Sequence, residues 1–293
     1  MREITTAGEI RTATAEARCA GRSIGLVPTM GSLHAGHLAL AAAARGENDL
    51  AVMSLYVNPT QFGPNEDFER YPRDLGNDRR VAADAGVDIL FAPATEVMYP
   101  SGAAAQRVWV DPGSLAAHLC GASRPGHFRG VATVVAKLFH LVSPDRAYFG
   151  QKDGQQAAII QRMTRDLAFP TEIRVLPTVR ESDGLALSSR NVYLSPEERA
   201  QAPALSAALR WAGERVAHGD RDPRTLEAGM RALILERAPL ARIDYVTVAE
   251  AESLQPASAP IGDALIALAA YLGTTRLIDN VMVRFDGGTL RVT

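Results

Sequence analysis

Two histidines three residues apart, His34 and His37, stand in the stretch Pro28-Thr29-Met30-Gly31-Ser32-Leu33-His34-Ala35-Gly36-His37. On a helix that spacing puts both rings on one face, where they can donate to one ligand. Gly31 and Gly36 permit close backbone approach. The stretch lies between a β-type run, Ser23 to Val27, and an Ala- and Leu-rich run, Leu38 to Ala44, that reads as helix. A strand-to-helix corner offers unpaired N–H groups and a partial positive charge, which suit phosphate. Two other readings stand beside this one. The histidines can be zinc ligands, although no cysteine or acidic third ligand lies close in sequence. They can also be ordinary surface residues at a helix start.

Two further clusters have phosphate chemistry. Lys152 and Asp153 follow a short strand-like run, Arg146 to Phe149, at a second strand-to-helix corner. Only Lys137 and Lys152 among the 31 basic residues are lysines, so a lysine kept at position 152 suggests a need for a compact, movable charge. Chance accounts equally well for Lys137, and a surface Lys-Asp pair is the plain alternative. Ser188, Ser189 and Arg190 combine short hydroxyl donors with a guanidinium that can fork onto phosphate oxygens. Gln61 and Gln156 each offer a donor and an acceptor, matching hydroxyl and carboxylate oxygens. A lone glutamine is more often simply solvated; Gln61 differs in following the strand-ending pair Asn58-Pro59.

The elements that must hold these residues alternate. Strand-like runs at Leu50 to Val57, Val87 to Phe91 and Glu172 to Leu176 are interleaved with helix-like runs at Asp74 to Ala85, Gly130 to Val142 and Gln155 to Leu167. Such alternation predicts a parallel sheet with helices on both faces, where ligands bind at the carboxyl ends of the strands. Beyond Asn191 the character changes. Ser195-Pro196-Glu197-Glu198 carries a capping serine, a proline and a glutamate, opening a helix expected to reach about His218, and Asp222-Pro223 opens another. Ile243 to Val248, Asp263 to Ala270 and Thr275 to Val283 read as strands of a smaller α+β unit. The boundary is expected in the loop Thr178 to Val192, dividing the chain into 1–185 and 186–293.

Composition sets outer limits. A hydrophobic share of 47% supplies a core, and a net charge of -2 gives no basic excess for nucleic acid. Cys19 and Cys120 form neither a disulfide framework nor a clustered metal site. The start has no basic-then-apolar signal, and no apolar run is long enough to span a bilayer. A cytoplasmic protein with neither nucleic-acid nor membrane partners is expected.

The Pro28-to-His37 string resembles the His-x-Gly-His signature of the nucleotidyltransferase-like superfamily, in the version found in pantothenate synthetases. Four more segments are similar to that family and occur in its order: Val57 to Phe62, Glu66 to Arg73, Tyr148 to Gln156 and Arg180 to Asn191. The likeness is dense through residue 192 and looser beyond. It implies a Rossmann-like nucleotide- and pantoate-binding domain with a C-terminal lid, working as a homodimer. The implied reaction joins pantoate to β-alanine, using ATP with Mg²⁺, through a pantoyl-adenylate, releasing AMP and pyrophosphate. The implied catalytic residues are His34, His37, Lys152, Ser188 and Arg190. Pro28, Met30, Gly31, Gly150, Asp153, Val179 and Ser189 join them around ATP, while Met30, Asn58, Gln61 and Gln156 hold pantoate or β-alanine. Asp78 aligns with an acidic magnesium site, though a helix-surface aspartate is an equal reading, and His127 falls in a substrate flap. The family usually has methionine at Leu187, glutamate at Gln151 and a large residue at Gly154. The glycine is expected to loosen the Lys152 corner. Two other activities remain on the table, a nucleotidyltransferase that leaves AMP on its product and a non-catalytic nucleotide-binding protein. No residue presents itself as the base for the β-alanine ammonium.

Overall fold

The computed structural model describes residues 1–64, 66–286 and 289–293. Six strands form one parallel sheet: β1 (Arg2–Ile4), β2 (Ile24–Thr29), β3 (Leu50–Leu55), β4 (Ile89–Phe91), β5 (Arg146–Gly150) and β6 (Glu172–Leu176). Between them run α1 (Ala7–Cys19), α2 (Ala35–Glu47), α3 (Leu75–Asp84), two single turns α4 (Thr95–Met98) and α5 (Cys120–Ser123), α6 (His127–Val142) and α7 (Gly154–Asp166).

Period-two alternation sorts the strand residues between two cores. Ile24, Leu26, Val52, Phe91 and Phe149 pack with α1 and α6 on one face. Val27, Ala51, Met53, Leu90 and Tyr148 pack with α2 and α3 on the other. Helices therefore cover both faces, as the alternation predicts.

The sheet order is β1-β4-β3-β2-β5-β6, so the winding reverses between β2 and β5. That is the switch point at which open α/β sheets bind ligands. Pairing of β2 to β5 ends at Leu26, whereas pairing to β3 runs on to Thr29. Pro28 helps explain this. The Ile24 carbonyl accepts from Asp145 N on the β5 side, and the Thr29 carbonyl accepts from Tyr56 N on the β3 side. Alternation then turns residue 28 toward β5, and proline has no N–H to offer there. The two carboxyl ends separate where a ligand would enter.

The backbone contacts group the chain into two units. The first comprises Met1–Pro112, Arg124–Gly150 and Ile159–Leu176; the second comprises Gly113–Ser123, Gln151–Ala158 and Pro177–Thr293. Helix α7 thus belongs to the second unit in its first turn and to the first unit beyond Ala158. The second unit is α+β. Its sheet is antiparallel, in the order β10-β9-β8-β7, from β7 (Ala241–Glu250), β8 (Ala264–Leu272), β9 (Thr275–Asp286) and β10 (Thr289–Val292). Its helices are α8 (Pro196–Gln201), α9 (Ala204–Ala217) and α10 (Pro223–Arg237). Leu205, Leu209, Leu226, Met230 and Ile234 of α9 and α10 bury against Val246, Ile266, Leu268 and Leu277. The single helix expected from Ser195 to His218 is instead two. Pro203 has no N–H to give the carbonyl four residues back, so α8 stops at Gln201 and α9 restarts at Ala204. Among the described residues no helix is long and apolar enough to cross a membrane.

Candidate active site

In the first unit the chain leaves β2 through a left-handed pair, Gly31 at φ 88° and Ser32 at φ 53°. Asp78, on the first turn of α3 and 1% exposed, closes this loop. Its Oδ2 accepts from Ser32 N at 3.0 Å and its Oδ1 from Leu33 N at 2.8 Å. A Cβ on residue 31 would meet Asp78 Oδ2 at 2.8 Å, so both φ and space call for glycine.

His34 caps α2. Its Nδ1 accepts from Gly36 N at 3.1 Å, and His37 Nδ1 accepts from His34 N at 3.3 Å. A neutral imidazole that accepts at Nδ1 carries its proton on Nε2. Both rings therefore present an Nε2–H donor, with centroids 4.1 Å apart, at a helix N-terminus. A Cβ on residue 36 would lie 2.9 Å from the His34 ring, so Gly36 makes room for the cap. Among the described residues no group of three His, Cys, Asp or Glu is placed to hold a metal. The zinc reading of the histidines therefore lacks further ligands. Asp78, the residue aligned with a magnesium site, has both oxygens engaged by backbone N–H groups.

Beside this loop stands a carboxamide pair. Gln61, 8% exposed, donates from Nε2 to Met30 Sδ at 2.8 Å, and its Oε1 accepts from Asn58 Nδ2 at 3.1 Å. Asn58 is fully bonded inside the protein. Its other Nδ2 hydrogen goes to the Gly130 carbonyl at 3.2 Å, and its Oδ1 accepts from Tyr99 OH at 2.9 Å and from Thr60 Oγ1 at 2.9 Å. Asn58 thus orients Gln61.

His127 holds the Gln61 backbone. Arg124 Nη1 lies 3.0 Å from His127 Nε2, and a guanidinium only donates. Nε2 is then the acceptor, and Nδ1–H donates to the Gln61 carbonyl at 2.8 Å. Arg124 also pairs with Glu66, through Nε at 2.8 Å and through Nη2. Burial opposes the charge on Glu66, but the hydrogen bond and positive charge of Arg124 outweigh it and hold the carboxyl below its usual range. The sequence does not single out Glu66 or Arg124; Glu66 enters only as the first residue of the Glu66-to-Arg73 segment, and Arg124 only as a near neighbour of His127.

Gly150 ends β5 at the switch point. The chain then enters the second unit through a 3₁₀ turn, Gln151–Asp153. Lys152 Nζ lies 3.9 Å from Asp153 Oδ1, both half-buried. Gln156 is half-buried on the first turn of α7, while its neighbour Gln155 is buried and donates to the carbonyls of Leu115 and His118, each at 2.9 Å. Val179 accepts from Leu187 N at 3.0 Å, which folds the 178–191 loop back on itself. Ser188 caps a second 3₁₀ turn, Ser189–Tyr193, its Oγ accepting from Arg190 N at 3.2 Å. The predicted residues therefore fall into two sets. Pro28, Met30, Gly31, His34, His37, Asn58, Gln61, Asp78 and Gly150 share the switch-point end of the first unit, and Lys152, Asp153, Gln156, Val179, Ser188, Ser189 and Arg190 lie in the second.

Comparison with known proteins agrees along the chain. A family profile described as Pantoate-beta-alanine ligase matches residues 2–282. The pantothenate synthetase of Moorella thermoacetica is 56% identical over 286 residues, 98% of this chain and 100% of that protein. The crystal structure of pantothenate synthetase from Thermus thermophilus superposes with a TM-score of 0.87 at 50% identity, covering 96% of this chain and 98% of that one. The pantoate-beta-alanine ligase of Francisella tularensis, crystallised in complex with beta-gamma ATP and beta-alanine, gives a TM-score of 0.76 at 33% identity, covering 96% and 97%. With its fold, its motif order and its near-complete coverage in agreement, the chain belongs to the pantoate–β-alanine ligase family.

Proposed function

We propose that the chain makes pantothenate by activating pantoate as its adenylate and then passing the acyl group to β-alanine. A carboxylate is a poor electrophile because it is anionic. Attack of its oxygen on the α-phosphorus of ATP forms a mixed anhydride and expels pyrophosphate. The amine nitrogen then attacks the activated carbonyl, and AMP leaves. The first step is governed by positioning and by neutralising charge on phosphate.

The single observation that carries this reading is the paired Nε2–H donors of His34 and His37 at the start of α2, beside a buried glutamine. In this reading the histidines, with Pro28, Met30, Gly31 and Gly150 around them, receive the nucleotide. Lys152 and Arg190, with Ser188 and Ser189, neutralise its phosphates, and Asp153 and Val179 line the nucleotide side. Gln61 and Gln156 bind pantoate, with Met30 and Asn58 supporting Gln61. Mg²⁺ enters as the companion of ATP, its coordination filled by phosphate and water oxygens. Asp78 acts as the anchor of the Gly31–Leu33 loop. By likeness to the family, the enzyme is a cytoplasmic homodimer.

Mass spectrometry of a reaction containing ATP, Mg²⁺, pantoate and β-alanine tests the function. Pantothenate with AMP is expected; an AMP-bearing product that ignores β-alanine identifies a nucleotidyltransferase instead. The site is tested by Gln61→Ala, which leaves pantoate oxygens unpaired at about 1–3 kcal/mol for each buried group. The KM for pantoate should rise by about tenfold or more, with the KM for ATP nearly unchanged. An equal rise for both substrates places Gln61 outside the pantoate site.

A further inference from the structure

The turn that carries Lys152 is only three residues long and is followed by glycine. Short 3₁₀ turns have poor hydrogen-bond geometry and little rigidity of their own. Asn280, on β9 and 5% exposed, supplies what the turn lacks. Its Nδ2 donates to the Gln151 carbonyl at 2.9 Å and to the Lys152 carbonyl at 2.8 Å. Its Oδ1 accepts from Gln151 Nε2 at 2.7 Å. Both hydrogens and the oxygen of one carboxamide are thus used on a single turn. A Cβ on residue 154 would lie 2.7 Å from Asn280 Oδ1, so the carboxamide fills the place where a larger residue's side chain would begin. The glycine therefore leaves the corner braced rather than loose.

The preceding residue works on the other loop of this unit. Asp279, 4% exposed, accepts from Arg180 Nη1 at 2.6 Å and Nη2 at 3.0 Å, and Arg180 also donates to the Gly184 carbonyl at 3.1 Å. Two adjacent residues of β9 thus fix the segments that bear Lys152 and Ser188 to Arg190. Burying a carboxamide is costly unless it is bonded, and an apolar side chain would fill the same space. Its complete bonding to one turn assigns it an orienting task.

We propose that Asn280 is a positioning residue for adenylation, fixing the Gln151–Asp153 turn so that the Lys152 ammonium is presented in one place. The proposal rests on the phosphate role given to Lys152 above. The test is pantoate-dependent exchange of labelled pyrophosphate into ATP, in wild type, Asn280→Ala, Asn280→Asp, Lys152→Ala and the double variant Lys152→Ala with Asn280→Ala. Melting temperature and KM for ATP are recorded for each. Asn280→Ala should lower the exchange kcat by about tenfold to a hundredfold, the usual cost of misplacing a catalytic group by about an ångström, while the KM for ATP moves less than about threefold. Asn280→Asp keeps the shape, so it carries the test where alanine weakens folding. It should lose at least as much, because a carboxylate cannot donate to two carbonyls and repels them. In the Lys152→Ala background, loss of Asn280 should change exchange by less than about twofold, because the two act as one unit. Equal losses with and without Lys152 overturn the proposal, since Asn280 then serves the fold alone. A slow Lys152→Ala beside an unimpaired Asn280→Ala and Asn280→Asp also overturns it, leaving the Lys152 reading intact. Wild-type exchange in Lys152→Ala overturns the Lys152 reading, and this proposal with it.

Discussion

Lys152→Ala should fold normally, still bind ATP measurably, and form pantoyl-adenylate about a hundredfold more slowly than wild type, the scale of one lost transition-state contact. The reason is where charge grows. Negative charge builds on the departing pyrophosphate, and a cation that meets it there lowers the barrier more than it strengthens ground-state binding. Lys152 is half-buried on a turn whose carbonyls are held by Asn280, so its ammonium starts from a fixed base. Lys152→Arg should recover little, because a rigid planar fork differs in shape and reach from a compact ammonium on a flexible stem. Single-turnover adenylate formation in the three proteins is the measurement. If Lys152→Arg matches wild type, the survival of a lysine in this arginine-rich chain has no catalytic meaning.

Asp78→Ala is expected to produce the second large effect, on the loop proposed to receive phosphate. Two backbone donors, Ser32 N and Leu33 N, lose their acceptor in a buried place. Hydrogen bonds to a charged group contribute about 1.5–3 kcal/mol each. A loss of about 3 kcal/mol or more would lower the melting temperature by roughly 5–10 °C. The KM for ATP should rise at least about tenfold as the Gly31–Leu33 loop relaxes. The control is the melting temperature without ATP or Mg²⁺. A loop anchor lowers it there, and added Mg²⁺ restores neither stability nor activity. A magnesium ligand would leave the apo protein as stable as wild type and would recover activity at high Mg²⁺.

Local rules make much of the first unit legible. Asp74 and Ala85, the limits of a helix by sequence, are the caps of α3, and the run Glu172 to Leu176 is β6 as it stands. A capped N-terminus or a short β-type run is written in consecutive residues. The first helix has its cap, Thr6 accepting from Glu9 N, but lacks the apolar stripe that would mark the rest of it. In α1 only Ile10, Ala13, Thr14 and Ala17 are buried, too few and too small to give a clear stripe. The long C-terminal helix is overdrawn from sequence because its periodicity passes through Pro203 without a break in hydrophobicity. At the candidate site, the histidines stand out by type and spacing. The side chains that fix the neighbouring backbone do not. Asp78 lies 45 positions from Leu33, and Asn280 lies 128 from Lys152. Such partners are joined by the topology of the sheets, which a linear pattern does not record. His127 shows the same limit from the other side, since its ring supports the Gln61 backbone through a tautomer that only the position of Arg124 reveals.

In the proposed reaction an acyl-adenylate forms before the amine takes part. Labelled pyrophosphate, incubated with enzyme, ATP, Mg²⁺ and pantoate but no β-alanine, measures it directly. If pantoate attacks the α-phosphorus and releases pyrophosphate as a separate step, the label returns to ATP, and omitting pantoate abolishes the exchange. If label enters ATP only once β-alanine is added, the amine is required for phosphate chemistry, the path is concerted, and no adenylate intermediate stands.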